Sequence, residues 1–239
     1  MAETTLTTHP DWLEPALANG ILSRLPEGVL ASVLQQAQRV THPAGAVALR
    51  WEEQPKTAIV LRGSLRQFLT LPDGSQVTTR YLKPGDITGV FAPRRPRLAR
   101  AVVALEECEL LLVDGDRVKQ LALAHPAFAW AMIEEMTTVL HANQKALYVR
   151  AAGSVRQRVI SAILERAEVG GGLAAGRAVE GTQFELAIAA GTVREVVAAV
   201  LQDLKRAGLV DVQRRRIIIL DPGQLALEAG LAFGFGSAG

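Results

Sequence analysis

The sequence predicts an α+β protein: a jelly-roll-like β-roll, then a long helix, then a small helical unit closed by a β-hairpin. Three observations carry that reading. Between His42 and about Val113, short apolar runs alternate with glycine turns at Pro43-Ala44-Gly45, Leu61-Arg62-Gly63-Ser64-Leu65, Leu71-Pro72-Asp73-Gly74-Ser75 and Leu82-Lys83-Pro84-Gly85-Asp86. Turn signals at such regular spacing mark a small sandwich or barrel. After Pro126, apolar residues recur at helical spacing to about Ala152 with neither proline nor glycine to interrupt them. From Gly181 to Leu220, two helix-start signals are followed by a hairpin with a basic tip.

Within the roll, Asp73-Gly74 between Leu65–Leu71 and Val77–Leu82 is a strong hairpin signal. Ahead of it, Trp12–Leu17 reads as a short helix anchored by Trp12, and Pro26 to about Arg39 as a second helix with Val29, Leu30, Val33, Leu34 and Ala37 on one side. Beyond the long helix, Gly153-Ser154 interrupts the pattern. Ser154 caps a new helix, Val155–Ala167, and Gly153 is the natural hinge. The stretch Gly170–Gly176 is a loop, Asp221-Pro222 opens a short helix through Leu227, and a glycine-rich tail follows.

Composition narrows the function classes. A chain of 239 residues can hold two domains and bury a real core. Apolar residues make up 49% and charged residues 21%, an ordinary soluble composition, and a net charge of +2 leaves any basic surface to be local. The single cysteine, Cys108, excludes an internal disulfide framework and a four-cysteine iron–sulfur site within one chain. His9, His42, His125 and His141 are scattered, without the clustering that a metal-dependent enzyme on a β-roll requires. No signal peptide opens the chain and no long apolar run lies within it, so a cytoplasmic protein with no membrane partner is expected.

The segment Gly181–Leu220 is the most informative. Thr182 is followed three residues later by Glu185, and Thr192 by Glu195, the spacing of two capping boxes. Between them Gly191 suits a positive-φ turn. Val196, Val197, Val200, Leu201 and Leu204 give the second helix one apolar face. Leu209–Val212, Arg214-Arg215-Arg216 and Ile217–Leu220 then read as a two-stranded wing with a basic tip. Two helices across a glycine turn with a basic wing form a winged helix-turn-helix, and its partner is double-stranded DNA.

Along the long helix, Met132, Met136, Leu140, Asn143 and Leu147 recur at intervals of four, four, three and four. That is an a/d-like seam, read as a parallel dimer contact with Asn143 as its polar, register-setting member; the alternative is a stripe that is simply core against the roll. Ile133, Val139 and Ala146 widen the stripe, so one flank faces the roll while the seam meets a second chain. Asn143 with Gln144 could equally touch a ligand held between roll and helix.

The order of these parts resembles the CRP/FNR family of bacterial transcription regulators. The resemblance runs from about Pro26 to Leu225 and is most specific at Tyr81–Gly89, Ser154–Ala167 and Thr182–Leu220. It implies three parts: an effector-sensing roll with its N-terminal helices over 1–125, a dimerisation helix and hinge over 126–153, and a DNA-binding domain over 154–239. It further implies a homodimer on a palindromic operator, acting on RNA polymerase as activator or repressor, and no enzymatic activity. Arg194-Glu195 occupies the place of the family's common Arg-Glu pair, whose arginine suits guanine and whose glutamate suits the cytosine amino group. Ala198-Ala199 stands where a Ser-Arg pair is frequent, so the operator differs from the common half-site. Thr182, Gln183 and the wing arginines Arg214, Arg215 and Arg216 are candidates for phosphate contacts, and Thr192 and Val193 complete the DNA-facing set.

In the effector segment, cyclic-nucleotide-binding relatives carry a glutamate for the ribose and an Arg-Ser pair for the phosphate. Here Val90 replaces the glutamate and Leu98-Ala99 fall near the pair, which argues against cyclic AMP. Gly85, Asp86, Arg94, Arg95, Arg97 and Arg100, with Asn143 and Gln144, are the candidate effector residues. The arginines could clamp an anion by forked hydrogen bonds, or form a solvated basic loop. A haem sensor would need an axial ligand from a histidine, Cys108 or the N-terminal region, and no spacing supports one. A ligand-binding module acting through a protein partner is the remaining alternative.

Overall fold

The computed structural model describes residues 10–50, 56–89 and 99–230, with the side chain of Lys145 left aside. Contacts divide the chain into two units, Met1–Gln67 with Leu82–Val139, and Phe68–Tyr81 with Leu140–Gly239.

In the first unit, α1 (Glu14–Leu17), a 3-10 turn (Leu22–Arg24) and α2 (Glu27–Gln35) precede the strands. The second helix is shorter than the sequence predicts, because Gln38 and Arg39 already belong to β1 (Gln38–His42). Arg39 donates to Glu109 at 2.9 Å and lies over the Trp12 ring at 4.8 Å, which fixes this strand start and the tail together. The strands of the roll continue with β2 (Val47–Arg50), β3 (Lys56–Arg62), β4 (Leu65–Thr70), β5 (Gln76–Leu82), β6 (Ile87–Thr88), β7 (Ala99–Ala104) and β8 (Cys108–Asp114), of which Phe68–Tyr81 in β4 and β5 group with the second unit. Its sheets have the orders β1-β8-β3-β6 and β2-β7-β4-β5.

The two-residue period of a strand sorts the core. Ala58 and Val60 of β3, with Leu110 and Leu112 of β8, point toward Leu49, Leu65, Leu82 and Val102 of the second sheet. The alternate residues Ile59, Leu61, Leu111 and Val113 pack instead under Leu13, Leu22, Leu30 and Val33 from the N-terminal helices. This sheet is therefore apolar on both faces. Also under that cover are Val118 and Leu121 of α3 (Gly115–Ala124), a helix the sequence reading does not include, and Phe128, Ala131 and Met132 of α4 (Pro126–Ala152). Glu135 of α4, almost fully buried, meets Arg24 at 3.5 Å.

In the second unit, Ser154 caps α5 (Val155–Val169) in a complete capping box with Gln157. A short strand, β9 (Ala178–Glu180), leads to α6 (Gln183–Ala190) and α7 (Arg194–Arg206). The hairpin β10 (Val210–Gln213) and β11 (Arg216–Ile219) and a final helix α8 (Pro222–Glu228) complete it. The sheet is three-stranded, in the order β10-β11-β9, so the wing carries one strand more than its sequence announces. Its core gathers Val159, Ile160 and Ile163 of α5, Leu186 of α6, Val197, Leu201 and Leu204 of α7, and Ile217 and Ile219 of β11. No described helix is long and apolar enough to cross a membrane.

Candidate nucleic-acid interface

The two helices α6 and α7 are set by local chemistry. At α6 the capping box is complete: Glu185 N–H donates to Thr182 Oγ1 at 3.1 Å, and Thr182 N–H to Glu185 Oε2 at 2.9 Å. The same Oε2 accepts from Arg166 at 3.2 Å, which ties the start of α6 to α5. Gly191 ends α6 at φ 61°, in the left-handed region where glycine has no side chain to clash. Arg158 of α5 holds the other end, donating to Ala190 O at 2.9 Å and to Gly153 O at 3.2 Å. Arg158 carries no signal in the sequence, because a guanidinium satisfied by backbone carbonyls leaves no pattern of partner residues to find.

The second predicted capping box is not formed. The cap residue of α7 is Val193, one place later than expected, and no side chain caps this helix. Thr192 lies outside it, its N–H bonded to Ala187 O at 2.9 Å as the chain leaves the glycine turn. Glu195 is therefore released from the structural duty that the sequence assigns it. Arg194 and Glu195 are both exposed in the first turn of α7, and neither forms a side-chain hydrogen bond or ion pair among the described residues. Ala199 is exposed beside them and Ala198 half-buried, while Val197 and Leu201 turn inward.

The wing lies against the start of α6. Gly181 N–H donates to Arg215 O at 2.8 Å, and Arg216 pairs with Glu180 across β11 and β9 at 3.1 Å. Arg214, Arg215 and Arg216 are exposed at the hairpin tip, and Arg215 has φ 58°. A groove of about 630 Å³ runs among Thr182, Gln183 and Phe184 at the start of α6, Arg194, and the wing from Val212 to Ile217. The structure thus brings Thr182, Gln183, Arg194 and the three wing arginines to the rim of one open channel. Its charged side chains are arginines, and Thr182 and Gln183 at the start of α6 lie on the same groove. The arginine lining suits a polyanionic strand.

This helix-turn-helix region, residues 157–227, matches the Crp-like helix-turn-helix domain, and residues 39–125 match the cyclic nucleotide-binding domain. The chain belongs to the CRP/FNR family. It is 30% identical over 190 residues to the transcriptional regulator LdrP of Thermus thermophilus, covering 78% of this chain and 93% of that one. A CRP-like cAMP-activated global transcriptional regulator of Mycobacterium tuberculosis is 24% identical, over 88% of this chain and 96% of that protein. The crystal structure of a Crp/Fnr-family regulator from Eubacterium rectale superposes with a TM-score of 0.70 at 19% identity, covering 88% of this chain and 97% of that one. The chain is accordingly a transcription regulator of a non-enzymatic family.

The remaining CRP/FNR sites fare differently. Arg94, Arg95 and Arg97, with Val90 and Leu98, lie outside the described residues. Arg100 sits half-buried on β7. Gly85 and Asp86 have structural work: Asp86 accepts from Lys83 N–H at 2.9 Å, and Gly85 donates to Val60 O at 2.9 Å. A Cβ on Gly85 would stand 2.3 Å from Asn19 O, so the chain packs backbone to backbone there and the glycine face is already covered. Asn143 and Gln144 are exposed on α4, with no side-chain bond among the described residues. The seam needs a correction. Met132 is 3% exposed and Met136 packs against the first unit's core, whereas Ile133 is 55% exposed. Consecutive helical residues point about 100° apart, and the roll claims the methionine side. Three exposed aliphatic residues, Ile133, Leu140 and Leu147, lie seven apart.

Proposed function

We propose that this CRP/FNR-family regulator acts as a homodimer on a palindromic operator and influences RNA polymerase. In this reading it is governed by an effector other than cyclic AMP, or by none. The observation that carries the operator reading is the pair Arg194 and Glu195, exposed and unbonded in the first turn of α7. Arginine donates two parallel hydrogen bonds to guanine O6 and N7, and glutamate accepts from the cytosine amino group. Thr182, Gln183, Thr192 and Arg214–Arg216 position the protein on the phosphates, and Ala198 and Ala199 offer only apolar contact.

Dimerisation is supported by Ile133, Leu140 and Leu147, three large apolar side chains exposed at heptad spacing along α4. The effector reading rests on the sequence: Val90 at the ribose position, and the arginines Arg94, Arg95, Arg97 and Arg100 as a clamp for a small anion. The side chain of Val90 cannot accept a hydrogen bond from a ribose hydroxyl, which is why the reading sets cyclic AMP aside.

Fluorescence anisotropy on the protein's own promoter region and on scrambled DNA, across a salt series, tests the reading. Arg194→Ala is expected to cost about 1–3 kcal/mol on the promoter and to relax discrimination at one base pair. Binding to scrambled DNA should be unchanged. Equal losses on both duplexes would remove Arg194 from base reading. Added cyclic AMP should leave the wild-type curve in place.

A further inference from the structure

Val193 is misplaced as a structural residue. It is the cap of α7, with φ −104° and ψ 159°, and its side chain makes no capping bond. It is also 58% exposed, so it serves neither the helix end nor the core. Valine is among the poorest residues at a cap, where Ser, Thr, Asp or Asn would accept a first-turn N–H. Thr192, the natural capper, stands one residue too early, its backbone N–H held by Ala187 O. A stiff, branched, apolar side chain therefore stands free beside Arg194 and Glu195, at the end of the helix that enters a major groove.

The major groove offers such a side chain one apolar feature on an unmodified base pair, the thymine 5-methyl group. We infer that Val193 is a specificity-determining residue that packs against a thymine methyl next to the base pair read by Arg194. The inference rests on the reading that α7 enters the major groove. Valine has one strongly preferred side-chain rotamer, so its methyl groups are presented with little entropy to lose. Serine at this position would cap the helix and forfeit the contact.

The test starts from duplexes enriched on the full-length protein from a random pool. Each thymine of the enriched site is replaced in turn by uracil, which pairs identically and lacks only the methyl group. One replacement should weaken wild-type binding about fourfold, the value of one buried methyl-sized group. The same replacement should leave Val193→Ser unaffected and Val193→Ala less affected than wild type. Melting of Val193→Ser at or above the wild-type temperature is expected, since serine restores a cap. Wild-type binding indifferent to every uracil, or a sensitivity that survives in both variants, would overturn the proposal. A pool that yields no preferred sequence, with equal affinity for all duplexes, is a different result. It would overturn the major-groove reading and this inference with it.

Discussion

Arg215 is the only non-glycine residue among those described with a positive φ, 58°, and it sits at the tip of a hairpin where glycine or asparagine is the ordinary choice. A side chain in the left-handed region costs about 1 kcal/mol or more. Arg215→Gly should therefore hold or raise the stability of the domain, read by chemical denaturation. It should weaken operator and random DNA alike and lower the salt slope by about one. Cys108 offers a second test at this scale. Burial pushes its thiol up from 9.0 to about 11, with Glu106 and Glu107 adding to the rise against a lowering backbone bond from His42. The folded state thus keeps a proton that the unfolded chain releases near 9.0, so stability should fall as pH rises from about 9 to about 11. Denaturation midpoints across that range would check it, and Cys108→Ala should flatten the slope.

At the scale of the element, two threonines that look alike in sequence separate cleanly. Thr182 Oγ1 accepts from Glu185 N–H at 3.1 Å, whereas α7 has no side-chain cap. Thr182→Ala should cost about 1 kcal/mol of stability, while Thr192→Ala stays near neutral in the same denaturation series. The difference arises because the N–H of Thr192 is committed to Ala187 O as the chain leaves Gly191, so α7 begins one residue later. The spacing Thr-x-x-Glu was legible; which residue becomes the cap depends on how tightly the preceding turn closes. For the same reason β9 was missed. Ala178–Glu180 is three residues long and becomes a strand only because β11 pairs with it, Ile217 against Val179.

For the whole molecule, the proposed homodimer puts the weight on α4. Ile133, Leu140 and Leu147 are 55%, 55% and 66% exposed, which is costly for a free helix face in water and suits a second copy. Leu140→Glu is expected to shift the protein from dimer to monomer in sedimentation velocity and to weaken operator binding, since each half-site would then bind alone. A dimer unchanged by this substitution would place the contact elsewhere.

By itself the sequence determined the order of parts, the bounds of α4 from Pro126 to Ala152, the cap at Ser154, the glycine turn at Gly191 and the basic wing. These are decided by local chemistry: periodicity, capping side chains and the freedom of glycine act within a few residues. The resemblance to CRP/FNR regulators was legible for the same reason, since its motifs are such local signals in a fixed order. Tertiary structure decided what burial decides. It assigned Met132 rather than Ile133 to the core, because a sheet apolar on both faces needed cover. It gave Gly85 a backbone neighbour instead of an open face. It also freed Glu195 and exposed Val193, because the register of a cap depends on the turn before it and the core beneath it.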